Sequence, residues 1–242
     1  MKENLVFNNN TRIVYGFYIL SIVFLSFIFN LDYFLCALIF SLIIYDLYVS
    51  KIFLNSYFIL SFILSFIITN YLILPLVNYN IILFIFFSFF LLSLIQSKYL
   101  KIYFLIVVLI FFILFLNLFQ LDRNIVYILI FCSFINDTSA YFFGKYFKGP
   151  KIIPIISPNK TWSGTISSFL ITAILLYYFL NFDFVHSSII SSLFFFGDIY
   201  LSSIKRKLNI KDFSHALKDH GGILDRLDSI FLTIFYIYFI VL

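Results

Sequence analysis

Runs of about twenty apolar residues follow one another along almost the whole chain, and that repetition constrains the fold more than any other feature. Of the 242 residues, 63% are hydrophobic and only 11% are charged. A typical soluble domain has roughly 45–50% apolar and roughly 25% charged residues, and at this length it must still leave much of its surface in water. Lipid is therefore the expected solvent. The fold class is all-α: a polytopic integral membrane protein with about nine transmembrane helices. Cys36 and Cys132 both lie within apolar runs, which suits buried small side chains and gives no disulfide framework.

A hydrocarbon core about 30 Å thick needs about 20 residues per helix. That ruler places spans at 13–29, 32–49, 52–73, 79–95, 101–119, 124–143, 164–182, 187–203 and 226–242. The end of the first, FLSFIFNLDYF, has no small-residue cleavage pattern, so it is expected to remain in the mature protein. Positive residues stay on the cytoplasmic side. With the N-terminus inside, this alternation leaves only Arg123 of the 16 Lys and Arg residues outside, and it puts the C-terminus outside. Residues 1–123 read as an N-terminal transmembrane scaffold of about five helices. Residues 124–242 read as a C-terminal catalytic transmembrane region of about four helices with two basic cytoplasmic loops. Asp46, one turn from the inner end of its span, is expected to reach interfacial water or Lys51.

Ionisable residues at membrane depth are rare and usually mark a function. Asp137 and Asp198 approach the inner end of their spans, and Asp225 and Asp228 open the ninth from the same side. Four carboxylates thus converge at the cytoplasmic boundary beside two basic loops. Such a boundary suits a metal-bound polyphosphate, because Mg²⁺ takes one or two carboxylates plus substrate phosphates, while Lys and Arg supply the remaining countercharge. In His220-Gly221-Gly222-Ile223-Leu224-Asp225-Arg226, two glycines ahead of a helix could bring backbone N–H groups to an anion. Before the seventh span, Ser157-Pro158-Asn159-Lys160-Thr161-Trp162 also suits phosphate capture. An ion-coupled transporter is the rival from another class. It would carry its charges near the midplane in broken helices or related repeats, whereas these gather at one boundary.

Three ordered blocks carry a resemblance. Asn136-Asp137-Thr138 is followed by Ala140-Tyr141-Phe142-Phe143-Gly144; the second block is Ser157 to Trp162 with Gly164. The third comprises Ser202-Ser203-Ile204-Lys205-Arg206, Lys211-Asp212-Phe213 and His220 through Ser229. Together they resemble the phosphatidate cytidylyltransferases, or CDP-diacylglycerol synthases, over about residues 136–229. The resemblance implies a polytopic helical enzyme that uses Mg²⁺, with a companion monovalent cation left open. It implies transfer of CMP from CTP to phosphatidate, giving CDP-diacylglycerol and pyrophosphate for phospholipid synthesis. A relative acting on another lipid phosphate or a lipid alcohol is the alternative within enzymes.

By the same resemblance the metal ligands are Asp198 and Asp225, and the catalytic set is Asp198, Asp225, Lys205, Arg206 and His220. Substrate binding is expected from Asp137, Ser157, Lys160, Thr161, Ser202, Lys211, Asp212, Gly221, Gly222, Arg226 and Asp228. Expected partners are CTP, phosphatidate, the lipid bilayer and, as a candidate homodimer, a second copy of the chain; no nucleic acid is expected. The location implied is a bacterial inner (cell) membrane with the site facing the cytoplasm. The chain departs from the family's pattern at four places. Leu201 and Ser163 stand where Glu is usual, Ser214 stands for Gly, and Lys218-Asp219 stands for Pro-Gly.

Overall fold

The computed structural model describes residues 18–52, 63, 79–95, 99–216 and 221–241. The helices are α1 (Tyr18–Ile28), α2 (Asp32–Val49), α3 (Tyr79–Ile95), α4 (Leu100–Leu121), α5 (Arg123–Phe147), α6 (Trp162–Leu180), α7 (Phe184–Lys207) and α8 (Phe231–Tyr236). A π-helical stretch, Ile237–Val241, continues α8. Among the described residues five helices, α2 and α4 to α7, are long and apolar enough to cross a membrane. Large apolar side chains such as Phe24, Tyr33, Phe142, Ile174 and Phe184 are exposed, as expected of a protein solvated by lipid. The chain is thus a mainly helical integral membrane protein. The expected third span, 52–73, lies outside the described residues apart from positions 52 and 63.

The last expected span is corrected. Residues 226–230 are turns, and helix begins only at Phe231. The N–H groups of Arg226 and Leu227 both bond to the Ile223 carbonyl at 2.9 and 3.0 Å, closing a local turn. From Phe231 to Val241 the helical stretch rises roughly 16 Å, short of a hydrocarbon core about 30 Å thick. Between α5 and α6 the structure adds an antiparallel hairpin that helical periodicity cannot reveal: β1 (Lys151–Ile153) and β2 (Ser157–Thr161), with Lys151 opposite Thr161 and Ile153 opposite Ser157.

Local chemistry explains these joints. Asp122 caps α5 by accepting from the Asn124 N–H at 2.9 Å, and Lys148, in the left-handed region at φ 47°, ends it just before Gly149-Pro150. Thr161 caps α6 by accepting from the Gly164 N–H. The helices α5 and α6 cross closely at two glycines. A Cβ on Gly164 would run into the Ala140 carbonyl oxygen, and one on Gly144 would meet Thr161 Oγ1 at 2.8 Å. Small residues at a crossing let helix backbones approach in a membrane, where packing rather than hydrophobicity drives association. Aromatic pairs tie the core together: Phe111 stacks on Phe231 at 4.5 Å between centroids, and Phe104 on Phe213 at 5.6 Å.

Arg123, the positive residue that breaks the charge pattern, has a structural partner set. Its guanidinium lies 3.3 Å from Asp32 Oδ2, donates to the Phe27 carbonyl at 2.6 Å and to Asn30 Oδ1, and sits over the Phe27 ring. It ties the α1–α2 turn to the α4–α5 turn. Asp137 lies roughly 21 Å further along α5, so this knot and the carboxylates occupy opposite ends of the bundle.

Cysteines introduced singly at Asp122 and at Lys148 should therefore react with a membrane-impermeant thiol reagent from opposite faces of the membrane. The native Cys36 and Cys132 are buried and should stay silent. Labelling of both introduced positions from one face would refute the crossing of α5.

Candidate active site

The site is built where α5, α6 with its preceding hairpin, α7 and the turns before α8 meet. Asp137 comes from α5, Lys160 from β2, Asp198 and Lys205 from α7, and Asp225, Arg226 and Asp228 from the turns. Of the four carboxylates expected to converge, Asp137, Asp198 and Asp228 lie in one another's fields, and Asp225 joins them through Lys205. Asp137 lies in electrostatic contact with Asp198, Arg226 and Lys160; Asp228 does so with Asp198, Asp137, Lys205 and Lys160. Lys160 Nζ pairs with Asp198 Oδ2 and also lies 4.9 Å from the centroid of the Phe195 ring. Ser202 Oγ donates to Asp198 Oδ1 at 3.1 Å, one turn along the same helix.

Lys205 is the hub. It is 7% exposed, donates to Asp225 Oδ1 at 2.7 Å, and lies in the combined field of Asp225, Asp228 and Asp198. Its ammonium also rests 5.7 Å from the centroid of the Phe213 ring. Asp225 is held on its other oxygen as well: Oδ2 accepts from the Phe213 N–H at 3.0 Å and the Gly222 N–H at 2.9 Å. A buried ion pair is tolerated when its remaining polar valences are filled in this way.

These bonds revise the glycine reading. Gly221 adopts φ +76°, a conformation that side-chain-bearing residues rarely reach, and a Cβ there would meet Asp225 Oδ2 at 2.8 Å. The Gly222 N–H already donates to the Asp225 carboxylate, so in this conformation it is not open to a substrate anion, and no helix N-terminus follows directly. The two glycines serve first to admit carboxylates. Gly197 does likewise on α7: a Cβ there would collide with the Asp228 carbonyl oxygen and approach that of Ser229 to 3.1 Å. Ser133 of α5 and Ser229 hold the same turn from the other side, with their hydroxyl oxygens 2.5 Å apart.

Other expected residues lie apart from the carboxylates or do local work. Arg206 is exposed and donates to the carbonyls of Ile156 and Ile210 at 3.3 and 3.2 Å, clamping the hairpin turn to the segment after α7. Thr161 caps α6. Ser157 pairs within the hairpin, Lys211 is exposed, and Asp212 is half-buried. His220, Lys218 and Asp219 lie outside the described residues. The two positions lacking Glu have clear environments. Leu201 is wholly buried in the apolar core, and Ser163 Oγ accepts from the Gly149 N–H at 3.2 Å, steadying the entry to the hairpin.

Sequence reasoning missed Asp46. It is 0% exposed and reaches neither interfacial water nor Lys51. Its Oδ1 accepts from Ser214 Oγ, and its Oδ2 accepts from the Leu224 N–H at 2.9 Å. The only local signal was an acidic residue inside an apolar helix, which does not name partners so distant in sequence.

The chemistry of the donor set fits Mg²⁺ in part. All the candidate ligands are carboxylate oxygens, and one ammonium, that of Lys205, already occupies the field of three of them. Among the described residues no group of three or more His, Cys, Asp or Glu side chains is close enough to hold an ion alone. An ion bound here would have to take waters and substrate phosphates as its other ligands.

Comparison with known proteins agrees with a helical membrane protein. Residues 10–242 match the model of the Cytidylyltransferase family, and the chain belongs to that family. It is 42% identical over 130 residues to a phosphatidate cytidylyltransferase of Rickettsia typhi, covering 47% of this chain and 57% of the relative. To the protein of the same name from Haemophilus influenzae it is 32% identical over 133 residues, 48% of this chain and 45% of the relative. For that from Staphylococcus aureus the identity is 41% over 104 residues, 39% of this chain and 40% of the relative. The chain spans about half the length of the curated relatives it matches.

Gly197→Ala should cost about 1–3 kcal/mol through overpacking, because the atoms it meets are backbone and cannot swing away. Thermal unfolding in detergent should show a lower midpoint with helix content retained. An unchanged midpoint would mean that α7 and the 228–229 turn are not packed as closely as described.

Proposed function

We propose that the chain is a phosphatidate cytidylyltransferase, which transfers CMP from CTP to phosphatidate and releases pyrophosphate. One observation carries the reading: Asp137, Asp198 and Asp228 gather with Lys160 and Lys205 at one end of the helical bundle. These residues come from α5, β2, α7 and the turns before α8. The relatives named above support the choice of CTP and phosphatidate. The sidedness of the positive residues supports a cytoplasmic site, and the bacterial origin of the relatives supports a bacterial cell membrane.

In this reaction a phosphatidate oxygen attacks the α-phosphorus of CTP and the bond to the β-phosphate oxygen breaks. Such a transfer needs alignment and charge neutralisation more than a covalent nucleophile. Lys160 and Lys205 carry the positive charge that the phosphates require, and their carboxylate partners hold both ammonium groups in place. The phosphate monoester is already largely ionised near pH 7, so its attack does not depend on a general base. Asp198 and Asp225 are the residues that would hold Mg²⁺, with Asp228 and Asp137 close to the same point. When bound, that ion would neutralise developing charge on the phosphates. Asp225 would meet such an ion beside Lys205, whose ammonium would then lie next to the bound phosphates. Arg206 acts on the hairpin that carries Lys160, and thereby on the position of that lysine.

The test uses purified protein with labelled CTP and phosphatidate, scored for a CDP-lipid product with and without Mg²⁺. Asp198→Asn and Asp225→Asn should each lower turnover by on the order of a hundredfold or more, with normal insertion and purification. Asp228→Asn and Arg206→Ala should have smaller effects, and Lys205→Ala a large one. Wild-type protein forming no CDP-lipid would refute the reading, and near-normal Mg²⁺-dependent turnover in both Asn variants would refute the shared metal role.

A further inference from the structure

We infer that Asp46, on α2 in the N-terminal half, is a positioning residue that clasps both arms of the active-site loop. Its target is the activity proposed above, and its physical basis is independent of that activity. The loop from Phe213 to Asp225 has two arms, residues 213–214 and residues 222–225, with the segment between them lying partly outside the described residues. Asp225 joins the arms through the Phe213 and Gly222 N–H groups. Asp46 joins the same arms one residue further along the first and two further along the second, through Ser214 Oγ and the Leu224 N–H. The second clasp comes from a helix 168 and 178 residues away in sequence.

Three observations make this more than an ordinary buried polar contact. First, both oxygens of Asp46 accept from the loop, and among the described residues no Lys or Arg pairs with it. A fully buried carboxylate without a cation is costly unless its hydrogen bonds are well made, so the loop conformation and the charge depend on each other. Secondly, a Cβ on Gly222 would coincide with the Asp46 carboxylate, so the loop is shaped to receive that group at this point. Thirdly, Ser214, which supplies the hydroxyl, is a position where the resembled pattern has Gly, so this half of the clasp is written into this chain's own sequence. Leu224 immediately precedes Asp225, and Phe213 lies under the Lys205 ammonium. A shift at Asp46 would therefore displace the Lys205–Asp225 pair.

Asp46→Ala, Asp46→Asn and Ser214→Ala, purified as full-length protein in lipid nanodiscs, test this by amide hydrogen exchange and by turnover. In Asp46→Ala, exchange across residues 221–226 should speed up by about tenfold or more while α4 and α5 keep their protection. Turnover should fall by about tenfold or more through loss of two hydrogen bonds to a charged group. Asn can accept from the Leu224 N–H and donate to Ser214 Oγ, so Asp46→Asn should restore both readouts to within a few-fold of wild type. Ser214→Ala, which removes one bond, should give the same local effect at smaller size, and it decides the matter if Asp46→Ala does not fold. Wild-type exchange at 221–226 in Asp46→Ala, or equal loss of protection in every helix, would overturn the inference; so would wild-type exchange in Ser214→Ala where that variant decides. Absence of CDP-lipid formation by the wild-type protein would instead overturn the proposed function, and the exchange data would still judge the clasp.

Discussion

The buried pair of Lys205 and Asp225 is the contact on which the site depends. Two ions removed from water are stable only when geometry and additional hydrogen bonds replace what hydration supplied. Here Asp225 receives an ammonium on one oxygen and two backbone N–H groups on the other. Lys205 in turn rests over the Phe213 ring, whose stacking on Phe104 anchors the loop to α4. One ion pair thereby joins α7, the turns before α8 and the aromatic core into one unit.

Close backbone approach is the second requirement. Gly164 and Gly144 let α5 cross α6, and Gly197 lets α7 meet the turn at Asp228. These contacts bring Asp137, Lys160, Asp198 and Asp228 into one electrostatic neighbourhood, although each belongs to a different stretch of chain. The rest of the bundle supports this by ordinary apolar packing. Lys207 adds a polar tie, donating to the terminal carbonyls of α3 at Ser93 and Leu94, which is where a cation also complements a helix dipole.

The opposite end of the molecule shows how charge is placed in a membrane protein. The charge count expects positive residues on one side, and the exception to it, Arg123, is engaged by Asp32, Asn30 and the Phe27 carbonyl. Its charge is occupied by a turn-to-turn contact. The general rule for loops and the local exception are thus compatible, because a paired guanidinium acts as structure where a free one acts as a topology signal.

The sequence by itself determined the solvent, the helical class, the uneven distribution of charge and the identity of the chemistry-bearing blocks. Those properties are local: an apolar run of twenty residues or an Asp inside it means the same thing wherever it sits. It also raised the expectation that four carboxylates share one boundary, through a count of spans whose ninth opens as turns in the structure. Only the tertiary structure decided how those groups are shared out. It showed Asp225 saturated by Lys205 and two N–H groups, Arg206 turned to the hairpin, turns where a ninth helix was expected to begin, and Asp46 joined to Ser214 and Leu224. Those outcomes depend on contacts between residues far apart in the chain, and hydropathy and spacing carry no record of which distant donor a buried carboxylate will meet.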